Sequence, residues 1–516
     1  MADPRPFTNV DPATAAAVRR SGCDPHELDM FMEHLLTYIY TLLPRPPFPD
    51  NGRLAALAAP SDGIDRISRL PEELLRNIVS RLPAKDGART VVLSSCWRAL
   101  WRSTPLVLSD AHVLPDGHGW PPTPANSPVV IAAVSRILEA HPGPFRCVDL
   151  VSNHMSRARV ARWVQLLAAK GVQDLVLVNR PWPQDMPIPA ALFSVTTLTS
   201  LYIGLWELPS TDVLRGASFP NLVELGICSV EMEHDAIKSL VARSPKLEIL
   251  NIEGCRMELR LHLVSQSLCC VQICGSAKED IAVVNAPCLE RLILSGRVGR
   301  GAFSSRVRIG DAPKLHTLGY LEPGLQVLEV QGTVIMHGIK PSTSTMLTTV
   351  KILSLNVRFG VRDDVKMVPT FLRCFPNAER LHIVSKRCDQ PTGNHLNRSF
   401  WEESGPIENV VSRIHTMSLR EFIGDPGEVG FLEYFFRTAR ALRAAFVIMA
   451  NPRFTPFSKE EAVDKVRHSF GRMASQSSYQ FVLVNNGPAG GSPWNFKTGA
   501  DFSFHDPFSE AEVSQP

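Results

Sequence analysis

Cysteine and histidine are the residue types in this sequence that could hold a metal ion or attack a substrate. The chain has 11 cysteines, and none of them form the C-x-x-C spacing that is typical of zinc and thiol-redox sites. Cys269, Cys270 and Cys274 cluster inside an apolar, strand-like run, which favours small buried or half-buried thiols over metal ligands. His112 and His118 lie near acidic residues in a Pro/Gly-rich loop, and a solvated loop explains them better than a metal site.

The sequence carries no recognisable phosphate-binding or catalytic motif. It lacks the frames G-x-x-x-x-G-K-[ST], G-x-G-x-x-G, H-E-x-x-H and G-x-S-x-G. The basic stretch GRVGRG (296–301) fits neither phosphate frame and is interpreted as a turn. NRS at 397–399 matches a glycosylation sequon, which an intracellular chain would not use. We therefore expect no catalytic residues, no bound metal and no cofactor.

The bulk composition is that of an ordinary globular protein with a large core. The chain has 516 residues, of which 44% are hydrophobic and 20% are charged, and its length suggests two to four domains. The formal net charge is only +3, which disfavours nucleic acid as the main partner. The irregular cysteine spacing in a long chain indicates a reducing compartment.

One stretch near the start, LDMFMEHLLTYIYTLLP (28–44), resembles a targeting segment at first sight. Its uninterrupted apolar core, 35–43, is too short to span a bilayer, which takes about 20 residues, and it lies too far from the start for a signal peptide. We expect an amphipathic helix at about 26–43, followed by a Pro-rich linker at 44–62. The protein is therefore predicted to be intracellular, in the cytoplasm, the nucleus or both, and not to bind a membrane.

A small helical module is predicted between residues 64 and 104. Apolar residues recur at every fourth position of RLPEELLRNIVSRLP, namely Leu70, Leu74, Ile78 and Leu82. In LSSCWRALWRST (93–104), Trp97 and Trp101 stand four apart and share one helix face. A unit this small buries a poor fraction of its surface. Its surplus of large apolar side chains therefore indicates a docking module that a partner completes.

Repetition dominates the sequence from about residue 145 onward. Eight segments share the frame apolar-x-x-apolar-x-apolar, with first positions 21 to 27 residues apart. They are Phe145/Val148/Leu150, Val172/Leu175/Leu177, Leu198/Leu201/Ile203, Leu222/Leu225/Ile227, Leu247/Leu250/Ile252, Leu268/Val271/Ile273, Leu289/Leu292/Leu294 and Leu315/Leu318/Tyr320. This period and frame are typical of leucine-rich repeats, whose short strands stack and share one core. The residues between the anchors then lie on the opposite, concave face.

The C-terminal third continues the repeats and ends them. RIHTMSL (413–419) predicts a strand, and the region 428–449 predicts a helix followed by a strand. One face of that helix collects Phe431, Leu432, Phe435, Phe436 and Ala439. The predicted fold class is therefore mixed α/β: a small all-helical module, then a leucine-rich-repeat solenoid (a horseshoe) with a C-terminal strand–helix–strand cap.

The stretch DRISRLPEELLRNIVSRLPAKDGARTVVLSSCWRALWRST (65–104) resembles an F-box. With the repeats, and with FLRCFPNAERLHI and EVGFLEYFFRTARALRAAFVI resembling an FBD-type segment, the chain resembles plant F-box/leucine-rich-repeat proteins. The implied domains are an N-terminal extension with one amphipathic helix (1–62), the F-box (63–106), the repeats (107–340, clearest at 145–330), an FBD-like region that continues and caps them (341–484) and a disordered tail (485–516).

The resemblance implies a non-catalytic receptor. An F-box docks on the Skp-type adaptor of an SCF-type cullin–RING ubiquitin ligase, and the repeats hold a target protein, whose identity the sequence leaves open. The implied adaptor contacts are Leu70, Pro71, Leu74, Ile78, Leu82, Val91, Leu93, Ser94, Trp97, Leu100 and Trp101. Some of these side chains belong to the internal core of the module, and the sequence alone does not separate the two roles.

The target surface follows from strand parity. Side chains predicted on the concave face are Ser200, Tyr202, Glu224, Gly226, Asn251, Glu253, Gln272, Arg291, Ser295 and Thr317. They mix charged and small residues of no single sign, so they identify no ligand.

The chain departs from the family beside the first tryptophan. Relatives commonly carry two basic residues there, whereas this chain has Ser95-Cys96. The loss of two positive charges at a docking surface slows or weakens association. This departure supports the alternative that the chain is a leucine-rich-repeat scaffold that binds proteins without recruiting a ligase.

Overall fold

The computed structural model describes twelve stretches of the chain. They are residues 12–44, 66–113, 127–151, 156–179, 186–255, 257–296, 305–339, 341–388, 398–453, 455–471, 480–484 and 496–509. The chain forms two compact units: residues 1–247 with 251–257, and residues 248–250 with 258–516. Most of the predicted linker at 44–62 lies outside the described residues.

The first unit begins with helices and continues as strands that alternate with helices. Its helices are α1 (Pro12–Arg20), α2 (Pro25–Leu42), α3 (Glu72–Ser80), α4 (Ala84–Arg89), α5 (Ser95–Ser103), α6 (Ser127–Ala140), α7 (Arg157–Ala169), α8 (Thr211–Leu214) and α9 (Ala236–Ala242). Its strands are β1 (Leu106–Ser109), β2 (Phe145–Leu150), β3 (Asp174–Val178), β4 (Ser200–Gly204) and β5 (Glu224–Cys228), and the division between the units falls within β6 (Ile249–Glu253).

Helix α2 occupies the place where the sequence predicts an amphipathic helix. It starts at an aspartate cap, because the Asp24 carboxylate accepts a hydrogen bond from the His26 N–H at 2.9 Å, and Pro25 suits the first turn. A second helix, α1, precedes it. The expectation of one helix in the N-terminal extension therefore missed α1, whose nine residues are too short for a clear apolar period.

The strands of the first unit form a parallel sheet in chain order from β1 to β6. Leu175 of β3, Leu201 of β4 and Leu225 of β5 are direct neighbours in register. Each is an anchor of the repeat frame, and each is buried because one residue in two faces the packed side of the sheet. The repeat frames thus correspond to the buried strands.

The second unit contains more strands than the first. They are β7 (Leu259–Val264), β8 (Cys270–Cys274), β9 (Lys278–Asn285), β10 (Arg291–Leu294), β11 (Ser305–Asp311), β12 (Thr317–Leu321), β13 (Gln326–Val330), β14 (Thr333–Val334), β15 (Ile352–Val357), β16 (Arg380–Ser385), β17 (Thr416–Phe422), β18 (Ala444–Met449) and β19 (Gln480–Val484). Its helices are α10 (Arg362–Arg373), α11 (Arg398–Glu403), α12 (Glu408–Ser412), α13 (Pro426–Thr438), α14 (Lys459–Gly471) and α15 (Phe496–Ala500).

Two sheets organise the second unit. The larger one has the order β8-β10-β12-β15-β16-β17-β18-β19, and its pairings are parallel. The second sheet has the order β14-β13-β11-β9-β7 and is parallel except for the pair β13 and β14. Between residues 259 and 330 the chain therefore alternates between the two sheets. The horseshoe expected from the repeats stays a prediction.

The predicted strand–helix–strand group is present as β17, α13 and β18. The apolar face of α13 is buried, and its Phe431 packs against Trp401 with ring centroids 5.3 Å apart. The sheet continues past β18 to β19. The group is thus followed by a further strand.

A capping box starts α13. Asp425 accepts from the Gly427 N–H, and the buried Glu428 accepts from the N–H groups of Asp425 (2.9 Å) and Ile423 (3.1 Å). Burial raises the pKa of Glu428 to about 7 despite these hydrogen bonds.

We expect the second unit to lose stability as the pH rises from about 4.5 to 7. The folded state keeps the Glu428 proton that the unfolded state releases, so ionisation favours unfolding, by roughly 3 kcal/mol in the limit. In Glu428→Gln the side chain still accepts hydrogen bonds but cannot ionise. The melting temperature of this variant should therefore exceed that of the wild type at pH 8 but not at pH 4.5. Glu433→Gln, at a partly exposed position of the same helix, is the control. A pH-independent difference for Glu428→Gln would contradict this expectation.

The C-terminal tail corrects the sequence-based expectation. Residues 496–509 contain the short helix α15 and several buried side chains, so the prediction of a disordered tail at 485–516 is wrong for this stretch. This stretch is held by hydrogen bonds to residues more than 200 positions away, so no local periodic pattern marks it. Residues 485–495 and 510–516 lie outside the described residues.

The described residues show neither a membrane-spanning helix nor a metal cluster. None of their helices is both long and apolar enough to cross a bilayer. Within the same residues, no three His, Cys, Asp or Glu side chains converge as metal ligands. Cys270 is buried, and Cys269 and Cys274 are half-buried, as the sequence indicates. His118 lies outside the described residues.

Candidate protein-binding surfaces

The helical module at 66–104 folds around a small core of its own. Helix α3 turns Leu75 and Val79 inward, and α5 contributes Trp97 and Leu100. The indole N–H of Trp97 donates to the Ser68 hydroxyl at 2.9 Å, which satisfies the polar edge of a ring that is only 4% exposed. A second set of apolar side chains on the same helices is therefore left over.

That second set faces solvent and is called here the outer apolar set. Its members are Ile67, Leu70, Leu74, Ile78, Val92 and Leu93. Leu70, Leu74 and Ile78 are spaced by four residues, while Leu93 follows at the turn before α5. Leu74 is 52% exposed and Leu93 is 63% exposed, and it is the grouping of such side chains on one small module, not any one of them, that is informative. These side chains form an exposed apolar surface that the core of the module does not use.

The structure sorts the eleven predicted adaptor contacts into three groups. Exposed positions are Leu70, Pro71, Leu74, Ile78, Leu93 and Ser94, and half-buried positions are Leu82, Val91 and Trp101. Trp97 and Leu100 are buried in the core of the module, the second of the two roles that the sequence left open, and the adaptor contacts themselves stay a prediction. Ile67 and Val92 lie outside the predicted set but are exposed large apolar residues of the same module.

Trp101 fixes the helical module to the first strands. Its ring lies against Gly87, where an added Cβ would stand 2.8 Å from the ring, and it packs on His141 with centroids 4.9 Å apart. Burial and the nearby Lys170 lower the pKa of His141 to about 4, so this histidine is neutral at physiological pH. Trp101 thus links α4 and α5 of the module to the residues that precede β2.

The helical module is basic. Residues 66–104 contain eight Lys or Arg and three Asp or Glu, a net charge of +5 against +3 for the whole chain. Ser95 and Cys96 are both exposed at the first turn of α5. The two family-typical charges are absent, but the module keeps a net positive charge, even though Arg76 and Arg89 pair with Glu72 and Asp86.

In the first unit, helix α2 covers the sheet face that was predicted to bind a target. Met32, Leu36 and Ile39 of α2 share one buried apolar cluster with Tyr202 and Val178. The Tyr40 hydroxyl donates to the Val151 carbonyl at 2.8 Å. The predicted target face is therefore not open in this unit.

Tyr202 is the centre of a polar group beneath α2. Its hydroxyl donates to Glu224 and accepts from the Asn251 amide at 2.7 Å. Gly226 lies flat under the ring, because an added Cβ would stand 2.1 Å from it. Burial raises the pKa values of Tyr202 and Glu224. Of the predicted positions here, Asn251 and Glu253 are buried and Ser200 is half-buried.

In the second unit, the tail covers the predicted face. Gln272 and Arg291 hold the main chain of residues 496–504 through their side chains. Thr317 is fully buried, and Ser295 is half-buried. The alternation of side chains along each strand thus predicts correctly that these residues lie outside the repeat core. It does not predict that another part of the chain covers them.

Three domain-family patterns match this chain. The F-box domain matches residues 67–108, the pattern described as "FBD-associated F-box protein At5g56370, LRR repeats" matches residues 160–383, and FBD matches residues 402–446. The F-box match therefore covers the helical module and β1, and the FBD match covers α12, β17 and α13.

Proteins of Arabidopsis thaliana show the same combination. F-box/LRR-repeat protein At3g26922 is 30% identical over 245 residues, which are 45% of this chain and 75% of that protein. F-box/FBD/LRR-repeat protein At1g13570 is 29% identical over 45% of this chain, but the match spans only 54% of its length. FBD-associated F-box protein At4g10400 is 22% identical over 79% of this chain and 97% of its own length.

These similarities define the family. The chain belongs to the plant F-box/LRR-repeat proteins and carries an FBD region, as the sequence motifs predict.

Proposed function

We propose that this chain is the substrate-recognition subunit of an SCF-type cullin–RING ubiquitin ligase. The F-box docks on a Skp-type adaptor, the adaptor links it to the cullin and RING subunits, and the repeat region binds the target protein. In this proposal the chain is not an enzyme, since ubiquitin transfer belongs to other subunits.

One observation carries the proposal: the outer apolar set lies exposed on a module that already has its own core. Six large apolar side chains in a stretch of 39 residues are more than a free surface normally shows. The net charge of +5 around them favours a partner with an acidic surface and speeds its association. Both features suit a docking module rather than a structural domain.

Co-purification with a plant Skp-type adaptor tests the proposal. The full chain is co-expressed with the adaptor, and we expect a stoichiometric complex on size-exclusion chromatography, because the outer apolar set is exposed before binding. A related F-box protein serves as the positive control. Absence of a complex, under conditions in which that control binds, would refute the proposed function.

The alternative is a repeat scaffold that binds proteins without recruiting a ligase. The specific observation in its favour is the exposed Ser95-Cys96 pair at the start of α5. The half-life of a bound target separates the two functions, because deletion of a pure scaffold leaves target turnover unchanged, whereas deletion of a ligase receptor lengthens it.

A further inference from the structure

Residues 496–509, here called the tail segment, lie on one face of the larger sheet of the second unit. The side chains that hold them come from five strands and form what we call the repeat groove. These side chains are Gln272, Arg291, Tyr320, Arg380, His382 and Arg420. The groove contains part of the face that strand parity assigns to target binding.

Arg291 and Gln272 recognise the main chain of the tail segment. The Arg291 guanidinium donates to the carbonyls of Gly499 (2.8 Å), Asp501 (3.1 Å) and Phe504 (2.6 Å). The Gln272 amide donates to the Phe496 carbonyl at 2.9 Å. Bonds to carbonyl groups do not depend on side-chain identity, but position 499 requires glycine, because an added Cβ there would stand 1.8 Å from Gln272 Oε1.

Asp506 supplies the first side-chain-specific contact. Its buried carboxylate accepts from Arg380 at 3.0 Å and from His382 at 2.9 Å. Burial opposes ionisation, but His382, the hydrogen bonds and Arg380 outweigh it and lower the pKa of Asp506 below its usual range. Ser418 contacts the other ring nitrogen of His382 at 2.7 Å and so orients the ring. The groove therefore selects an anionic side chain here.

Phe508 supplies the second specific contact. It is fully buried, with its ring centroid 5.0 Å from that of Tyr320 and 5.6 Å from that of His382. Gly319 makes room for it, since an added Cβ there would stand 3.1 Å from the ring. The Phe508 carbonyl accepts from Arg420. An aromatic ring two residues after the aspartate thus fills a defined pocket.

Among the other side chains of the tail segment, Phe496 and Thr498 are buried, and the Phe502 ring packs on the Arg291 guanidinium, with its centroid 4.3 Å from Cζ. Lys497, Phe502, Ser503 and His505 are exposed. Asp506 and Phe508 are therefore two of several buried side chains of the tail segment, and their contacts with Arg380, His382 and Tyr320 define a charged and an aromatic position.

We propose that the repeat groove is a peptide-recognition site for protein segments with an aspartate two residues before a phenylalanine. The tail segment is its internal occupant, and a target segment of the same chemistry takes its place. The inference rests on the proposed function in so far as the target enters through this groove. The covalently linked tail segment competes with a target at an effective concentration on the order of millimolar. A target therefore binds only if its affinity or its local concentration is high enough to displace the tail segment.

A full chain with a protease site inserted between Gly490 and Gly491 tests this proposal. Cleavage of the folded protein leaves the tail segment bound without a covalent link. A labelled synthetic peptide with the sequence of residues 496–509 should then exchange into the groove. The rise in the fluorescence anisotropy of the label measures its binding. Peptides with Asp506→Ala or Phe508→Ala should bind at least about tenfold more weakly, because each loses a buried contact. Ser503→Ala, at an exposed position, should bind as the unchanged peptide does.

Two outcomes would overturn the proposal. The first is that the cleaved segment does not exchange with the labelled peptide over a day, which would make it a permanent structural element. The second is that the Asp506→Ala and Phe508→Ala peptides bind as tightly as the unchanged peptide. Adaptor binding is measured on the same cleaved preparation. Its absence would contradict the proposed function and leave the peptide result standing, so the two failures are distinguishable.

Discussion

Replacement of Leu74 and Ile78 by glutamate is expected to lower the affinity of this chain for a Skp-type adaptor by at least about a hundredfold. Each side chain contributes about 1.5–3 kcal/mol if the adaptor buries it fully, and the pair therefore accounts for two or more factors of ten. The module itself should remain folded, because both side chains are exposed and Leu75 and Val79 hold the core from the other face of α3. Titration calorimetry with the purified adaptor measures the change.

Val213→Glu is the matched control for this variant. Val213 is a similarly exposed valine in the first unit, 43% exposed, and lies outside the F-box. We expect the control to bind the adaptor with wild-type affinity. Both variants should have the melting temperature of the wild type. Wild-type affinity of the double variant would show that α3 does not face the adaptor.

The repeat strands could be predicted because their signal is local. Each frame, such as Leu222/Leu225/Ile227, places two anchors on the buried side of one strand, and the neighbouring repeat is only 21 to 27 residues away. Even the second sheet had a signal: LRLHLV (259–264) alternates apolar and polar residues, and its burial alternates in the same way.

The coverage of the target face was beyond sequence reasoning. The tail segment contains no periodic pattern, and its contacts with Arg291 span more than 200 residues. Helix α2 was visible as an amphipathic helix, but its pattern does not name the sheet that receives it. A face exposed by strand parity is therefore only a candidate until the packing of every terminal segment is known.

This coverage changes how target binding by the repeats is to be understood. Tyr202 is packed against α2, and its hydroxyl accepts a hydrogen bond from Asn251. These two side chains therefore stabilise the first unit and are not available to a target. Arg291 instead holds the main chain of a terminal segment. Of the two covered regions, the second is the one where a target segment can replace what the chain itself supplies.

The F-box core was ambiguous for a different reason. On α3, Leu74 and Ile78 are four residues apart, and so are Leu75 and Val79, so two overlapping apolar stripes occur on one short helix. Either stripe fits a helix that faces a core. Only packing against α5 decides that Leu75 and Val79 face inward.

Trp97→Ala is expected to lower the free energy of unfolding of the F-box by about 3–5 kcal/mol, because it leaves a cavity where a buried indole stood. Trp97→Phe should cost less, since it keeps most of the ring but loses the hydrogen bond to Ser68. Hydrogen exchange of the α3 and α5 amides measures this loss of stability within the module. Leu74→Ala, at an exposed position, is the control and should leave the exchange unchanged.

The same variant distinguishes a core role for Trp97 from a contact role. If Trp97 only supports the module, the adaptor affinity of Trp97→Phe should stay within about threefold of wild type at a temperature where its amides remain protected, since no contact is lost. A direct contact would instead weaken binding with the fold intact, by the larger factor typical of a truncated interface tryptophan. The burial of Trp97, together with Leu75 and Val79, favours the first result, in which the outer apolar set alone contacts the adaptor.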